Sequence, residues 1–138
     1  MSRKTKIAIS VLLCSVILIG ASFPVNALTD HYDQIHYGLG VRIICNGSCN
    51  AAQHKAIASI QLSFVNGVGH LPESDYSCRI DLRVKYSTPY GEFDTTYSPG
   101  VVNAMASGVG FEHSSAIIDE CEYWTKANSY SIHHAILY

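Results

Sequence analysis

The sequence predicts an α+β fold, a split β-α-β (ferredoxin-like) sandwich in which an antiparallel sheet of four to five strands carries two helices on one face. Three observations predict it. Residues Tyr76, Cys78, Ile80, Leu82, Val84 and Tyr86 alternate with Ser77, Arg79, Asp81, Arg83 and Lys85, the pattern of a half-buried strand. Asn50 with Gln53 three residues on resembles a capping box, and Ala52, Ala56, Ile57, Ile60 and Phe64 follow at helical spacing. Ser98-Pro99 then places a capping side chain before a proline suited to a first helical turn.

The 138-residue chain opens with Arg3, Lys4 and Lys6, an apolar run from Ile7 to Ile19, and Val25-Asn26-Ala27. That layout predicts a secretory signal over residues 1–27, cleaved after Ala27, with one domain over residues 28–138. The run is shorter than the roughly 18 apolar residues that span a bilayer, and no later segment is long and apolar enough, so no membrane-spanning protein is expected. Cleavage would remove three of nine basic residues and none of eleven acidic ones. Six bases against eleven acids disfavour nucleic acid and anionic membrane surfaces, both of which need Lys and Arg.

Within the domain, residues 28–34 read as an irregular arm. Ile35, Tyr37, Leu39, Val41, Ile43 and Cys45 alternate as a first strand, with Gly38 and Gly40 on its other face. After the Asn46-Gly47-Ser48 turn comes the first helix, stopped at Asn66-Gly67. The strand from Tyr76 to Tyr86 turns at Thr88-Pro89-Tyr90-Gly91 and returns through Phe93, Thr95 and Tyr97. A second helix is expected over residues 99–112, weakened by Gly108 and Gly110. Residues 116–124 and 130–138 close the chain as two strands.

Four cysteines follow the signal, Cys45, Cys49, Cys78 and Cys121. In a small exported chain an even count predicts two disulfides with three possible connectivities, in preference to zinc, whose paired knuckles are missing. Long-range bridges constrain the unfolded chain most, by about 4 kcal/mol each, which favours Cys45 with Cys121 and Cys49 with Cys78. Cys45, Cys78 and Cys121 all fall on inward-facing positions, so face assignment alone leaves the choice open.

The chemistry-bearing residues read as structural. His31 and His36 beside Asp30 and Asp33 have poor ligand geometry, and adjacent His133 and His134 point to opposite faces of a strand. Glu120 and Glu122 flank Cys121 on a solvent face, without a hydrophobic pocket to raise a pKa. No nucleophile elbow, phosphate loop or zinc-protease motif occurs. The expectation is therefore a non-enzymatic binding protein with no cofactor and no metal. Tyr86, Tyr90 and Tyr97 around one hairpin, and Tyr123, Trp124 and Tyr130 around the other, are its candidate contact residues. Asn46-Gly47-Ser48 is also an N-glycosylation sequon, with Asn46 as the acceptor in a eukaryotic secretory pathway.

The run Ile43-Ile44-Cys45-Asn46-Gly47-Ser48, after a glycine-rich start and before a further cysteine, resembles the opening of the smut-fungus killer toxin family. Tyr76-Ser77-Cys78-Arg79-Ile80 stands where that family has a cysteine-bearing strand after its first helix. The resemblance implies a small secreted α/β-sandwich toxin or effector that acts, without a cofactor, by binding an unidentified protein or glycan on a target cell. Two other readings remain. The order at the end of the chain is similar to the sugar-binding B subunits of cholera-type toxins, although residues 50–66 depart from that pattern. A periplasmic inhibitor or immunity protein, if the host is bacterial, would place specificity on residues 67–75 and 89–91.

Overall fold

A computed structural model describes residues 28–138, so the expected signal lies outside the described residues. The fold is a β-sandwich, and the α+β expectation is corrected: two antiparallel sheets take up the described residues, among which the only helical pieces are two three-residue 3-10 turns. The strands are β1 (Leu28–His36), β2 (Val41–Asn50), β3 (Lys55–Phe64), β4 (Cys78–Thr88), β5 (Gly91–Tyr97), β6 (Val101–Val102), β7 (Ala106–Glu112), β8 (Ile117–Ala127) and β9 (Tyr130–Leu137). Sheet A runs β1-β2-β3-β7, and sheet B runs β5-β4-β8-β9 with β6 pairing the start of β4. The sheets face each other with β1 toward β9, β2 toward β8, and β3 and β7 toward β4.

Each lost helix has a physical reason. The Asn50 side chain does accept a hydrogen bond from the Gln53 backbone N–H at 3.1 Å, but it caps a single 3-10 turn. His54 then adopts a left-handed conformation and ends that turn. From Lys55 the chain buries Ala56, Ala58, Ile60 and Leu62 and leaves Ile57 and Gln61 exposed, a period of two. Of the apolar positions behind the expected helix over residues 50–66, Ala56, Ile60 and Phe64 fall on one row of this strand as well, while Ile57 points outward. The expected helix over residues 99–112 is replaced by β6, a short link and β7. Ser98 Oγ accepts from the Gly100 N–H at 3.0 Å and donates to the Ile80 carbonyl at 3.2 Å, so its capping chemistry builds a turn against β4.

At the front of the chain the expected irregular arm is strand β1, paired with β2 along its whole length. The expected strand from Ile35 to Cys45 is interrupted by a turn. Gly40 lies there with φ +70°, and a Cβ at this position would sit 1.9 Å from the Gly69 carbonyl oxygen. The β4–β5 hairpin and the closing pair β8–β9 agree with the alternation read from the sequence.

Facing side chains fix how the sheets meet. Cys45 Sγ lies 3.3 Å from Thr125 Oγ1. Two residues on, Gly47 meets the ring of Tyr123, where a Cβ would come within 2.3 Å of a ring carbon. Two residues further, the next inward positions on the two strands are Cys49 and Cys121, whose thiols perturb each other's ionisation. β2 therefore crosses β8 in antiparallel sense, in three successive rungs. All four cysteines are buried thiols in this structure. The rungs correct the favoured disulfide pairing. Cys45 and Cys121 are offset by four residues along the facing strands, about 13 Å, and Cys78 is level with Ala127, at the far end of β8 from Cys121. A disulfide needs Cα atoms within roughly 7 Å.

Gly47→Ala is expected to destabilise the fold by about 2 kcal/mol or more, because fully buried Tyr123 has nowhere to move. Gly40→Ala should do so through both the clash and its positive φ. Gly69→Ala, which meets nothing within 4 Å, should stay within about 0.5 kcal/mol of the parent in urea unfolding.

Candidate binding surfaces

Alternation in the strands sends one set of side chains inward and the other onto two outer faces, and the two faces differ in chemistry. On sheet B the outward residues form a charge ladder. Arg83 bonds Asp94 on β5, with Nη2 to Oδ2 at 2.6 Å, and Glu122 on β8 at 3.3 Å. Glu122 in turn accepts from His134 on β9 at 2.7 Å, and Lys85 pairs Glu120 at 2.9 Å. Arg79 pairs Asp81 at 3.0 Å. The Arg83 guanidinium holds the Asp94 carboxyl below its usual range, and Asp94 and Glu122 together raise Arg83 further. Trp124 stands within this ladder, its ring stacked on His134 at 5.2 Å with an interplanar angle of 5°. Exposed pairs of this kind add little stability singly, but they neutralise the face.

Sheet A is different. Its outer face carries Thr29 and His31 from β1, Ile44, Asn46 and Ser48 from β2, Ile57 and Ser59 from β3, and Gly108 and Gly110 from β7. Charge is confined to the ends, where Arg42 pairs Asp33 and Lys55 pairs Glu112 at 3.5 Å. Small side chains leave this face hollow. Concavities of about 360 Å³ and 320 Å³ flank Ile57, which is 49% exposed. A third, of about 570 Å³, lies at the Arg42–Asp33 end. In the first, His31 Nδ1 donates to Asn46 Oδ1 at 2.6 Å, which fixes the asparagine amide across two strands.

A polar clasp joins the edge strands β1 and β9. Asp30 Oδ2 accepts from the Tyr123 hydroxyl at 2.5 Å and from His133 Nε2 at 2.6 Å, and Tyr32 stacks on the His133 ring at 4.8 Å. Burial opposes ionisation of Asp30, yet the bonds from Tyr123 and His133, with the nearby imidazole charge, hold its carboxyl below the ordinary range. Burial and the Asp30 carboxylate push the Tyr123 hydroxyl well above the usual tyrosine range.

The expected contact tyrosines do not share a surface. Tyr123 is core, 1% exposed. Tyr86 and Tyr97 pack on the core beside Phe111, with Tyr86 stacked on Phe93. Tyr90 is exposed at the tip of the β4–β5 turn, Tyr130 lies against His36 beside the β8–β9 turn, and Trp124 is on the outer face of sheet B. His133 and His134 do face opposite ways, to Asp30 and Glu122. His31 and Asp33 point outward from β1 while Asp30 and His36 point inward, and no group of three or more potential metal ligands forms among the described residues. Asn46 is exposed in mid-strand, flanked on both sides by paired strands. The hollow on sheet A is not legible in the sequence, because a helix over residues 50–66 would not place Ile57 and Ser59 on one face with Asn46 and Ser48.

No family model, no curated protein and no solved structure matches the chain. Among the described residues no helix is long and apolar enough to cross a membrane.

Because Asp30 is lowered in the folded state, the stability it contributes is fully present above the ordinary Asp pKa of about 3.9 and is lost as pH falls through its lower folded value. Asp30→Asn is expected to cost about 1–2 kcal/mol at pH 7. In chemical denaturation from pH 7 to pH 2, the gap between parent and variant should close at the acid end.

Proposed function

We propose that this chain is a secreted, non-enzymatic toxin- or effector-like protein that binds a macromolecule on another cell through the outer face of sheet A. The observation that carries the reading is the arrangement of that face. A half-exposed isoleucine lies between a hollow lined largely by hydroxyl, amide and imidazole groups and a second one bordered by the Lys55–Glu112 pair at the end of the face. Protein recognition surfaces are built this way, with charge depleted from the centre and kept at the edge, where desolvation costs least. Ile57 supplies the apolar contact, and the His31–Asn46 pair presents a fixed amide beside it.

A second reading, an oligosaccharide-binding protein, is favoured by a separate observation. Trp124 and His134 stack on the outer face of sheet B beside Glu122 and Asp81, and Asp81 is level with Trp124 on the neighbouring strand. A flat ring next to carboxylates suits the apolar face and hydroxyls of a sugar.

Fluorescently labelled residues 28–138, titrated on intact cells by flow cytometry, should bind saturably. Ile57→Arg is expected to weaken that binding about tenfold or more with an unchanged thermal midpoint, and Trp124→Ala is expected to leave it intact. Binding that survives Ile57→Arg and disappears with Trp124→Ala would move the site to sheet B and favour the sugar reading.

A further inference from the structure

The three rungs between β2 and β8 place one pair of cysteines face to face. Cys45 meets Thr125, Gly47 meets Tyr123, and the next inward positions on the two strands are Cys49 and Cys121. Both thiols are buried, and each perturbs the ionisation of the other. Cys45 and Cys78 sit toward the other end of β8, beside Thr125 and level with Ala127. Neither can reach Cys121 without sliding one sheet along the other, and such a slide would drive β2 into the Tyr123 ring.

We propose that Cys49 and Cys121 are joined by a disulfide that ties β2 of sheet A to β8 of sheet B, leaving Cys45 and Cys78 as the remaining pair. The bond forms by thiol–disulfide exchange with a disulfide-bearing oxidant, an oxidoreductase or a small-molecule disulfide. The Cys49 thiolate attacks one sulfur of the oxidant and releases the other as a thiolate. The Cys121 thiolate then displaces the oxidant from the mixed disulfide. Two protein thiols thereby lose two electrons and two protons, and the oxidant's disulfide is reduced to two thiols. In the closed sandwich the neighbouring Cys121 thiol lowers the Cys49 pKa against the opposing effect of burial, and the same contact raises that of Cys121. Burial, with the neighbouring Cys45, pushes Cys78 up to about 11, and burial, with Asp30, does the same to Cys45 against the Thr125 hydrogen bond. Because both partners are enclosed in the closed sandwich, exchange takes place while the sheets are still apart, and closure then shields the bond from reductant.

The test is peptide mapping of the full chain expressed with residues 1–27 into an oxidising compartment, alkylated before unfolding and digested without reduction. Cys45 and Cys49 share the tryptic peptide between Arg42 and Lys55, so hydroxylamine cleavage at Asn46-Gly47 separates them before mass measurement. A Cys49 fragment linked to the Cys121 peptide, about 2 Da lighter than the two thiol peptides together, is expected. Cys49 linked to Cys45 or Cys78, or Cys49 and Cys121 both recovered as thiols from exported folded protein, would overturn the assignment. A Cys45→Ala/Cys78→Ala variant retains only the proposed pair. Its Tm should fall by about 10 °C or more on reduction, and a Tm indifferent to reductant would count against the bond.

Discussion

The crossing of β2 over β8 is the constraint on which the rest of the sandwich depends. Gly47 has no side chain because the Tyr123 ring occupies that space, and this close approach sets both the separation and the slide of the two sheets. Once β2 and β8 are placed, β3 falls over β4 and β1 over β9, since each is hydrogen-bonded to its neighbour in register. Tyr123 serves two roles from one position. Its ring fills the middle rung, and its hydroxyl reaches past the rung to Asp30 on edge strand β1. The clasp of Asp30, His133 and Tyr32 at the side of the sandwich is thus anchored in the core, and edge strands that would otherwise be free to fray or to pair with other chains are held to each other.

The same geometry separates the two outer faces. On sheet B the long charged side chains of β4 meet carboxylates on β5 and β8 and neutralise one another across the strands. On sheet A, serine, asparagine and glycine occupy most outward positions around Ile57, so the sheet surface is left hollow, with ion pairs only toward its ends. The inner face in both sheets is aliphatic and aromatic, and among the described residues no buried side-chain nitrogen or oxygen lacks a hydrogen-bond partner. The buried core is thus built from the inward rows, and the outward residues of sheet A lie outside it. That is the physical reason to look for function there.

Much of sheet B was legible in the sequence. β4 alternates without a break, β5 returns after a clear turn, and the opposite orientations of His133 and His134 follow from adjacency in a strand. Sheet A was obscured by three ambiguities. The segment Ala56 to Phe64 satisfies a helical and an extended period together, and a capping signal at Asn50 tipped the reading toward helix, although it ends one 3-10 turn. Residues 28–34 are polar because β1 is an edge strand with one inward row, so they resembled a loop. Gly108 and Gly110 lowered helical propensity correctly, but their role as the flat outer row of β7 depends on β3 being a strand. The candidate tyrosines were misjudged for a related reason. An aromatic side chain in a strand reads alike whether it faces core or solvent, and Tyr123 proved to be the most enclosed of them. The partner of each cysteine was beyond sequence reading, because it is set by the slide between sheets.

The most direct test of this account is a double-mutant cycle between Gly47 and Tyr123, with Gly47→Ala, Tyr123→Leu and the double variant compared by equilibrium urea unfolding. If the ring and the missing Cβ compete for one space, the double variant should be more stable than the sum of the single effects by about 1 kcal/mol or more. Additivity within about 0.5 kcal/mol would mean that Gly47 and Tyr123 do not meet, and that the sheets cross in a different register.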